Sequence, residues 1–530
     1  MRTIYLFILM ILSAFTLNAQ WATDPNNNLI VGYGLDPHIC SDSAGGCYIT
    51  YDYNSTSYPR WLALERLDKY GYKPWGTLKR ILGELPGQSK AEITENGEGG
   101  VIISYEDRDE TVGWTARIRV QKVDSNGNFL WGPTGVKVTL DEINQGSQKI
   151  VNDGEGGAVV IWVNTLAEYK VNRISSDGQR MWGDSGIVAG INGWYDPALL
   201  IRTTGDKYVV SAERNKIKCF DENGIVFYID SVVFWLSNII SDGKGGSVLS
   251  GKVWNGMIPK LVAQRRDSIG NNLWQEPYVE IADSLYLNTQ VKIQLNEGFY
   301  YYGWSGIRNG INRVAQFQAL RSDGSKLFTE GSISLSEHTP LSVAGIIESE
   351  ASKIIIIWND ATISSTTIAQ MYDTLGNKLW DESGVIVSYP AIAYQTYTTD
   401  TQEGFIISGT VNEFTVEAQQ VSKYGNLGEI ITTMTQEYPF KLPLTTILFQ
   451  NFPNPFNSTT HIKYQVNSEG RIRIVLYNIL GEELKILSDE NKTIGTYSLT
   501  FSTNEIPSGV YLYTLETGSE IKVKKLTILK

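Results

Sequence analysis

The chain has 530 residues, with 57 acidic against 45 basic side chains and a formal net charge of −12. A surface this acidic repels phosphate backbones and argues against nucleic acid as a partner, although acidity is also a common way to keep an exported protein soluble. The 50 glycines, 29 tyrosines and 14 tryptophans, among many Val, Ile and Thr residues, favour β structure over helix.

The first 19 residues have the pattern of a secretory signal peptide. Arg2 supplies a positive charge, and residues 4–17 form an apolar run too short to cross a bilayer comfortably. Cleavage is predicted between Ala19 and Gln20. A single N-terminal membrane anchor is the alternative, and no membrane segment is expected after cleavage.

Three cysteines follow, of which Cys40 and Cys47 flank a Gly-containing turn. Export permits a disulfide, and two antiparallel strands joined by this turn could bring the two side chains together. A Cys40–Cys47 disulfide is therefore one possibility, and two free thiols are the other. Cys219 has no evident partner, and the three histidines lack metal-ligand spacing.

A turn sequence then recurs from residue 68 to residue 425. Each copy has Asp or Ser (Arg in one copy), two residues, and a glycine, and an aromatic residue follows four positions later in all but the last copy. Successive glycines are 46 to 56 residues apart, which fits one four-stranded propeller blade. The glycines are Gly71, Gly127, Gly178, Gly224, Gly270, Gly324, Gly376 and Gly425.

Eight copies predict an all-β chain with an eight-bladed β-propeller over residues 20–438; seven blades are the alternative. The eighth copy lacks its aromatic residue, whereas the segment from Trp21 to Val31 resembles an outer strand without its hairpin. We therefore expect the N-terminal strand to complete the last blade, as propellers commonly close by mixing both chain ends.

The spacing Gly127, Trp131, Gly135, repeated at Gly178 and Gly376, resembles the tryptophan-docking repeat of quinoprotein-type eight-bladed propellers. The Asp-to-Gly spacing is one residue shorter than in that family. The resemblance implies that each tryptophan stacks between neighbouring blades, a structural role. The expected docking residues are Trp21, Trp75, Trp131, Trp182, Trp274 and Trp380.

A different pattern begins after a Pro-containing linker at 439–448. Residues 449–530 alternate short apolar strands with turn signals, which predicts a small Ig-like β-sandwich. Its distinctive positions are Asn454, Pro455, Phe456, Asn457, Gly481, Pro507, Gly509, Tyr511, Lys524 and Lys525.

These motifs, in this order, resemble the type A C-terminal sorting domain of type IX secretion cargo, found in Bacteroidetes and their relatives. The resemblance implies export in two steps. The signal peptide directs passage across the inner membrane, and the C-terminal domain engages the type IX machinery at the outer membrane. The expected location is extracellular or on the outer-membrane surface, with removal of the domain implied.

No catalytic constellation, metal site or cofactor is predicted. The Asp-x-x-Gly turns lack the further acidic ligands of a calcium loop, and a quinone enzyme would be expected to show an adjacent cysteine pair. The favoured hypothesis is a non-enzymatic surface protein that binds an unknown protein or glycan, or acts as a scaffold. The alternative is a polysaccharide hydrolase or lyase. Candidate sugar-stacking residues on predicted loops are Trp114, Tyr169, Trp254 and Trp304.

Overall fold

A computed structural model describes residues 21–529 with internal gaps and divides the chain into two compact units, Met1–Ile431 and Thr432–Lys530. The gaps are 54–59, 77–79, 83–86, 110–114, 192–197, 214, 255, 257, 276, 284, 286–290, 297, 309–311, 330, 336–339, 350–351, 361–365, 413, 429–445, 449–450, 452–453, 455, 458, 467, 493–494, 504–505 and 519. The predicted signal peptide, with Ala19 and Gln20, lies outside the described residues.

The first unit is built from antiparallel strands, and no helix occurs among its described residues. Its first strands are β1 (Leu29–Ser41), β2 (Cys47–Tyr53), β3 (Trp61–Leu67), β4 (Arg80–Leu82), β5 (Gln88–Glu95), β6 (Val101–Asp109), β7 (Thr115–Val123), β8 (Val136–Lys137), β9 (Gln145–Asn152), β10 (Ala158–Asn164), β11 (Glu168–Ile174), β12 (Ile187–Ile191), β13 (Leu199–Arg202), β14 (Tyr208–Glu213), β15 (Lys216–Phe220) and β16 (Val226–Ser231). The remaining strands of this unit are β17 (Trp235–Ser241), β18 (Ser247–Trp254), β19 (Pro259–Arg266), β20 (Val279–Ala282), β21 (Lys292–Asn296), β22 (Phe299–Arg308), β23 (Asn312–Leu320), β24 (Ile333–Ser334), β25 (Pro340–Glu348), β26 (Lys353–Asp360), β27 (Thr366–Asp373), β28 (Val385–Ser388), β29 (Ala393–Thr399), β30 (Phe405–Val411) and β31 (Thr415–Val421).

These strands form eight four-stranded blades within the described part of the chain, which confirms the predicted propeller. Blades 2 to 7 are separate sheets of four consecutive strands, from β5–β8 to β25–β28. Blades 1 and 8 share the long strand β1 and so appear as one seven-stranded sheet. The first strand of each blade contacts the first strand of the next all the way round, including β29 with β1, so these strands line the centre of a closed ring.

The N-terminal segment closes the ring by completing blade 8. Leu29–Tyr33 pairs with β31, and the rest of β1 continues as the first strand of blade 1 beside β2. Trp21 lies ahead of this strand and is buried. Closure is reinforced where the Gln419 side-chain amide donates to Asn28 Oδ1 at 3.0 Å.

Adjacent blades are joined by an aromatic ring seated on a turn glycine. In every described repeat, a Cβ atom added to the turn glycine would come within about 3.2 Å of the aromatic residue of the preceding blade. The pairs are Trp21–Gly71, Trp75–Gly127, Trp131–Gly178, Trp182–Gly224, Tyr228–Gly270, Trp274–Gly324, Phe328–Gly376 and Trp380–Gly425.

Each of the six tryptophans also donates its indole N–H to a backbone carbonyl in the same turn of the next blade. The Nε1–O distances are 2.9–3.1 Å, and the acceptors are Lys69, Ser125, Ser176, Glu222, Ser322 and Lys423. A buried indole N–H needs an acceptor, so this bond fixes the orientation of the ring as well as its depth.

In three blades an arginine of the third strand donates to the same carbonyl oxygen. Arg265 Nη1 lies 2.9 Å from the Ser322 oxygen, and its Nη2 pairs with buried Asp242 at 2.8 Å. The equivalent residues are Arg66 with Asp42 and Arg173 with Asp153. A buried guanidinium left without its carboxylate is strongly destabilising. In blades 1, 3 and 5 this network therefore ties the turn between the first and second strands, here called the inner turn, to the turn between the third and fourth strands of the next blade, here called the outer turn.

The second unit is a two-sheet sandwich. Its strands are β32 (Ile447–Leu448), β33 (Thr459–Val466), β34 (Gly470–Tyr477), β35 (Glu483–Lys492), β36 (Gly495–Ser502), β37 (Gly509–Glu516) and β38 (Ile521–Ile528). One sheet has the order β32-β33-β36 and the other β35-β34-β37-β38. Apolar side chains of both sheets, among them Ile462, Leu476 and Tyr513, form one buried core. The strand β32 lies inside the segment predicted as linker, so the sandwich begins earlier than expected.

Cys40 and Cys47 do not form the disulfide that their spacing in the sequence allows. Cys47 pairs in register with Ser41, and Cys40 with Tyr48, so the two cysteines are one position out of register and their side chains point to opposite faces of blade 1. Cys47 packs in the cluster that holds Trp21, and Cys40 packs against the cluster on the other face. Both are free thiols, as is Cys219.

Thiol titration without reductant tests this register. Burial raises the pKa of the Cys40 and Cys47 thiols well above the usual range, so both are expected to resist Ellman's reagent in the folded protein. All three cysteines should react after unfolding in guanidinium. Detection of a single reactive thiol per unfolded chain would contradict the register.

The close approach to a turn glycine can be tested by two matched substitutions. Gly224 and Gly183 both have positive φ, +80° and +89°, but a Cβ at Gly224 would meet Ile187 Cδ1 at 2.6 Å and Trp182 Cγ at 2.7 Å, whereas Gly183 has open space. Both changes to alanine incur the left-handed penalty, about 1–2 kcal/mol. In Gly224→Ala, overpacking should lower the free energy of unfolding by a further ~1–3 kcal/mol, measured by urea denaturation. Equal losses for the two variants would show that Trp182 and Ile187 do not pack against the turn.

Candidate functional site

The two faces of the propeller carry different loops. Because the strands of each blade alternate in direction, the turns joining first to second and third to fourth strands lie together, here called the turn face. The loops joining second to third strands and the connections between blades lie on the opposite face, here called the loop face.

Aspartates of the turn face are engaged in turn formation. In the outer turns, Asp124 Oδ1 accepts from the backbone N–H groups two and four residues on, at 2.9 and 2.8 Å, and Asp68, Asp221, Asp267 and Asp373 repeat the pattern. In the inner turns Asp42, Asp153, Asp242 and Asp400 do the same. Nowhere in the described chain are three His, Cys, Asp or Glu side chains placed to hold a metal ion together.

A cleft of about 630 Å³ opens at the loop face between blades 1, 2 and 3. It is lined by residues of the first strands β1, β5 and β9, by the ends of the second strands β6 and β10, and by Tyr169 at the start of β11. The lining is polar and carries charges of both signs, and we call it the charged cleft. Its charged residues are Asp36, His38, Lys90, Glu92, Glu106, Arg108 and Lys149.

The carboxylates of the charged cleft are each paired with a cationic or protonatable group. Glu106 Oε1 lies 3.0 Å from Lys90 Nζ, and its Oε2 lies 3.0 Å from Arg108 Nη2. Glu92 pairs with Lys149 from blade 3. The Lys90–Glu106 pair joins two strands of blade 2, and the Lys149–Glu92 pair joins blade 3 to blade 2, so these two pairs hold walls of the cleft together; Arg108 and Glu106 lie on the same strand, β6.

His38 links blade 1 to blade 2. Its Nε2 lies 3.6 Å from Asp36 Oδ1 and its Nδ1 lies 3.9 Å from Glu92 Oε2. Burial lowers the pKa of His38, but the hydrogen bond to Asp36 and the charge of Glu92 outweigh burial and raise the pKa above its usual range. The same hydrogen bond lowers the pKa of Asp36. Between them the two groups favour an imidazolium–carboxylate pair at the edge of the cleft.

Asp52, on β2 beneath the cleft, is the most perturbed carboxyl of this region. Burial, with a contribution from the charge of Asp36, raises the pKa of Asp52 to about 7. Its Oδ1 accepts the backbone N–H of Lys90 at 3.2 Å, and its Oδ2 lies 3.8 Å from Arg60 Nη1. Asp52 therefore ties blade 1 to the first strand of blade 2.

The four predicted stacking residues lie in different surroundings. Tyr169 and Trp304 are buried within their blades, and Trp114 lies outside the described residues. Trp254 is 42% exposed on the loop face of blade 5, where its ring meets that of Trp235, itself 51% exposed, edge to face at a centroid distance of 6.1 Å.

Tyr169, a candidate stacking residue in the sequence, is part of the lining of the charged cleft, whereas the charged residues of the cleft were not singled out from the sequence. Asp36, Lys90 and Lys149 lie some 55 residues apart along the chain, close to one blade repeat, and no short motif joins them. The blade period itself could have aligned them, since each lies on the first strand of its blade. Asp107 lies on β6 and accepts a hydrogen bond from Arg119 at 2.6 Å.

The distinctive residues of the C-terminal unit gather at two places. Asn454 and Phe456 dock on β38: Thr527 N–H donates to Asn454 Oδ1 at 2.7 Å, and Phe456 bridges in parallel to Ile528. Elsewhere Pro507 and Tyr511 line a groove of about 660 Å³. The turn ending at Gly481 borders this groove, Gly509 begins β37, Lys524 and Lys525 are exposed on β38, and Asn457 is exposed; Pro455 lies outside the described residues.

Comparison with known proteins identifies the second unit. The described residues 21–428 form an eight-bladed propeller, and residues 450–529 match the family described as secretion system C-terminal sorting domain. The chain is therefore cargo of the secretion system that this domain serves, interacts with the secretion machinery, and is exported to the cell surface or the extracellular space. No curated protein matches the chain. No helix with the length and hydropathy for a membrane crossing occurs in the described residues.

Solved structures resemble the chain at low similarity. The β-propeller domain of the Trilobed protease from Pyrococcus furiosus is 10% identical, covering 64% of this chain and 97% of its own, with a TM-score of 0.37. BamB from Moraxella catarrhalis is 9% identical over 74% and 99%, with a TM-score of 0.36. A protein of unknown function from Bacteroides caccae is 12% identical over 51% and 89%, with a TM-score of 0.29. The blade number follows from the strand order described above.

The raised pKa of Asp52 predicts a stability change with pH. The folded state holds a proton on Asp52 up to about pH 7, whereas the unfolded chain releases it near pH 4, so this group's contribution is present below pH 4 and is lost as pH rises through 7. Asp52→Asn keeps the acceptor for Lys90 without the charge. It should be more stable than the wild type at pH 8, on the order of 3 kcal/mol, with the difference vanishing near pH 4.

Asp124→Asn is the control, because the pKa of Asp124 is shifted in the opposite direction to that of Asp52. Burial raises the pKa of Asp124, but hydrogen bonds from Asn128 and Asn126 outweigh burial and lower it, so its charge stabilises at neutral pH and this contribution is lost as pH falls. Thermal midpoints from pH 3 to pH 9 measure both. If the thermal midpoints of the wild type and of Asp52→Asn changed in parallel with pH, the raised pKa assigned to Asp52 would be contradicted.

Proposed function

We propose that the exported propeller is a non-enzymatic binding protein that holds an extracellular protein or glycan in its charged cleft. The size of the cleft supports this proposal, because about 630 Å³ falls in the ordinary range of ligand sites. Its lining supports a polar ligand, since amide, hydroxyl and charged side chains predominate over apolar ones.

The pairing of charges in the cleft is the observation that carries the proposal. A general acid or base must exchange a proton with the substrate and must have a pKa near the working pH. Asp36, Glu92 and Glu106 instead lie within 4 Å of His38, lysine or arginine nitrogen atoms. Such pairs suit a rigid surface that orients a ligand by hydrogen bonds and charge.

A polysaccharide hydrolase or lyase is the second candidate, and Asp52 is the observation that favours it. A carboxyl with a pKa of about 7 has the property of a general acid. Its oxygen atoms, however, bind Lys90 N–H and face Arg60 inside blade 1, beneath the lining of the cleft. This position suits a structural tie better than contact with a substrate.

A binding screen of the exported protein against arrayed glycans and extracellular proteins, with reducing-sugar release from the same glycans, tests the proposal. Lys149→Ala should weaken the detected binding about tenfold by removing a cleft cation. Lys137→Ala is the matched control, because Lys137 also pairs with a glutamate, at 3.0 Å, but lies on the outer strand β8. Release of sugar would favour the enzyme, and equal binding by both variants would locate the site elsewhere.

A further inference from the structure

The first strands of four consecutive blades carry the same two-residue bulge near the loop face. The bulged pairs in blades 8, 1, 2 and 3 are Tyr394–Gln395, Asp36–Pro37, Lys90–Ala91 and Ser147–Gln148. The first member of each pair is left-handed, with φ of 50°, 53°, 54° and 53° respectively. A β-bulge of this kind redirects a side chain. Because the bulge recurs in four blades, the four left-handed residues direct their side chains in the same way.

The bulge separates an outward from an inward side chain. Tyr394 is 70% exposed, Lys90 and Ser147 are exposed, and Asp36 is about half exposed. The second members turn inward: Pro37, Ala91 and Gln148 are buried, and the Gln395 amide bonds Asn359, Thr367 and Ile392. The four outward side chains form an arc on one side of the channel mouth, which we call the bulge row.

This backbone conformation is disfavoured for any residue with a Cβ atom and is uncommon for a bulky one such as tyrosine. Neighbouring blades hold it in place at Lys90. The Asp52 carboxylate of blade 1 accepts the Lys90 N–H at 3.2 Å, and the Gln148 amide of blade 3 donates to the Lys90 carbonyl. Glycine would adopt the same left-handed backbone without strain. The sequence nevertheless has residues with side chains at these four sites, against the conformational preference of the backbone there.

We infer that the bulge row is the contact surface for a linear oligosaccharide that runs across blades 8, 1, 2 and 3. The inference rests on the proposed function and names the ligand class. Tyr394 extends the charged cleft into blade 8, since Thr396 on the same strand donates to Pro37 O of blade 1 at 3.3 Å.

The chemistry of the row matches a chain of sugar rings. The phenol ring of Tyr394 offers an apolar face to the C–H face of a pyranose, and its hydroxyl stays in water. Asp36 accepts hydrogen bonds from sugar hydroxyls, Lys90 donates to them, and Ser147 does both. One carboxylate and one ammonium give no net charge, so the row suits neutral sugars. Asp36, Lys90 and Ser147 also line the charged cleft, which has few apolar side chains to receive those of a peptide.

The test replaces the ends of the row with glycine. Tyr394→Gly and Ser147→Gly retain the backbone conformation and remove only the outward side chain. Ser43→Gly is the matched control, because Ser43 has φ of 58° but lies on the turn face of blade 1. Binding of the exported protein to cellohexaose, laminarihexaose and chitohexaose is measured by calorimetry, with a Gly-Ser hexapeptide as the peptide probe and thermal midpoints recorded in parallel.

The expected result is binding of at least one hexasaccharide, weakened about tenfold in Tyr394→Gly and measurably in Ser147→Gly, with Ser43→Gly within twofold of wild type. All three variants should keep or slightly raise the midpoint. Wild-type affinity in both row variants, or binding of the hexapeptide alone, would overturn the inference. Loss in Lys149→Ala with none in the row variants would leave the charged cleft as the site and refute the row. Binding of no array member at all would instead refute the proposed function.

Discussion

The structure depends on the seating of an aromatic ring from one blade on the turn glycine of the next. A four-stranded blade has two apolar faces and cannot bury either alone, so stability comes from stacking against neighbours. Trp182 on Gly224 shows how the contact works: the absence of a Cβ atom lets the ring approach the backbone, and the indole N–H satisfies the Glu222 carbonyl that the turn exposes. Eight such pairs close the ring, with Trp21 supplying the one that the last repeat lacks.

The arginine network supplements this packing with hydrogen bonds between adjacent blades. Arg173 binds Asp153 within its own blade and the Glu222 carbonyl in the next, so the inner and outer turns of adjacent blades are held by one side chain. Such fixed turns leave the opposite face free to vary, which is the usual division between scaffold and binding loops. The charged cleft and the bulge row are both on that face, where strain at Lys90 is held by blades on either side.

The propeller and the sorting domain are separate compact units. The sandwich has its own core, and the Asn454–Phe456 segment pins its edge to β38 through backbone and side-chain hydrogen bonds. The residues that make the sorting domain recognisable in sequence thus include several that build its fold. A sorting domain that is itself a folded sandwich can be recognised by the secretion machinery independently of the propeller.

The sequence by itself determined the propeller, its eight repeats, the closing role of the N-terminus and the sorting domain, because turn glycines, spaced aromatics and the Asn454–Asn457 motif are local signals with a fixed period or order. It did not determine the pairing of Cys40 and Cys47, since a shift of one residue in a hairpin register reverses the face of every side chain. Nor did it reveal the charged cleft: Asp36, Lys90 and Ser147 meet only when three blades close around the channel, and the left-handed backbone of Lys90 is held by hydrogen bonds with blades 1 and 3. Trp304 and Tyr169 were expected on loops and are buried, because length and apolarity do not distinguish a strand that continues from one that ends.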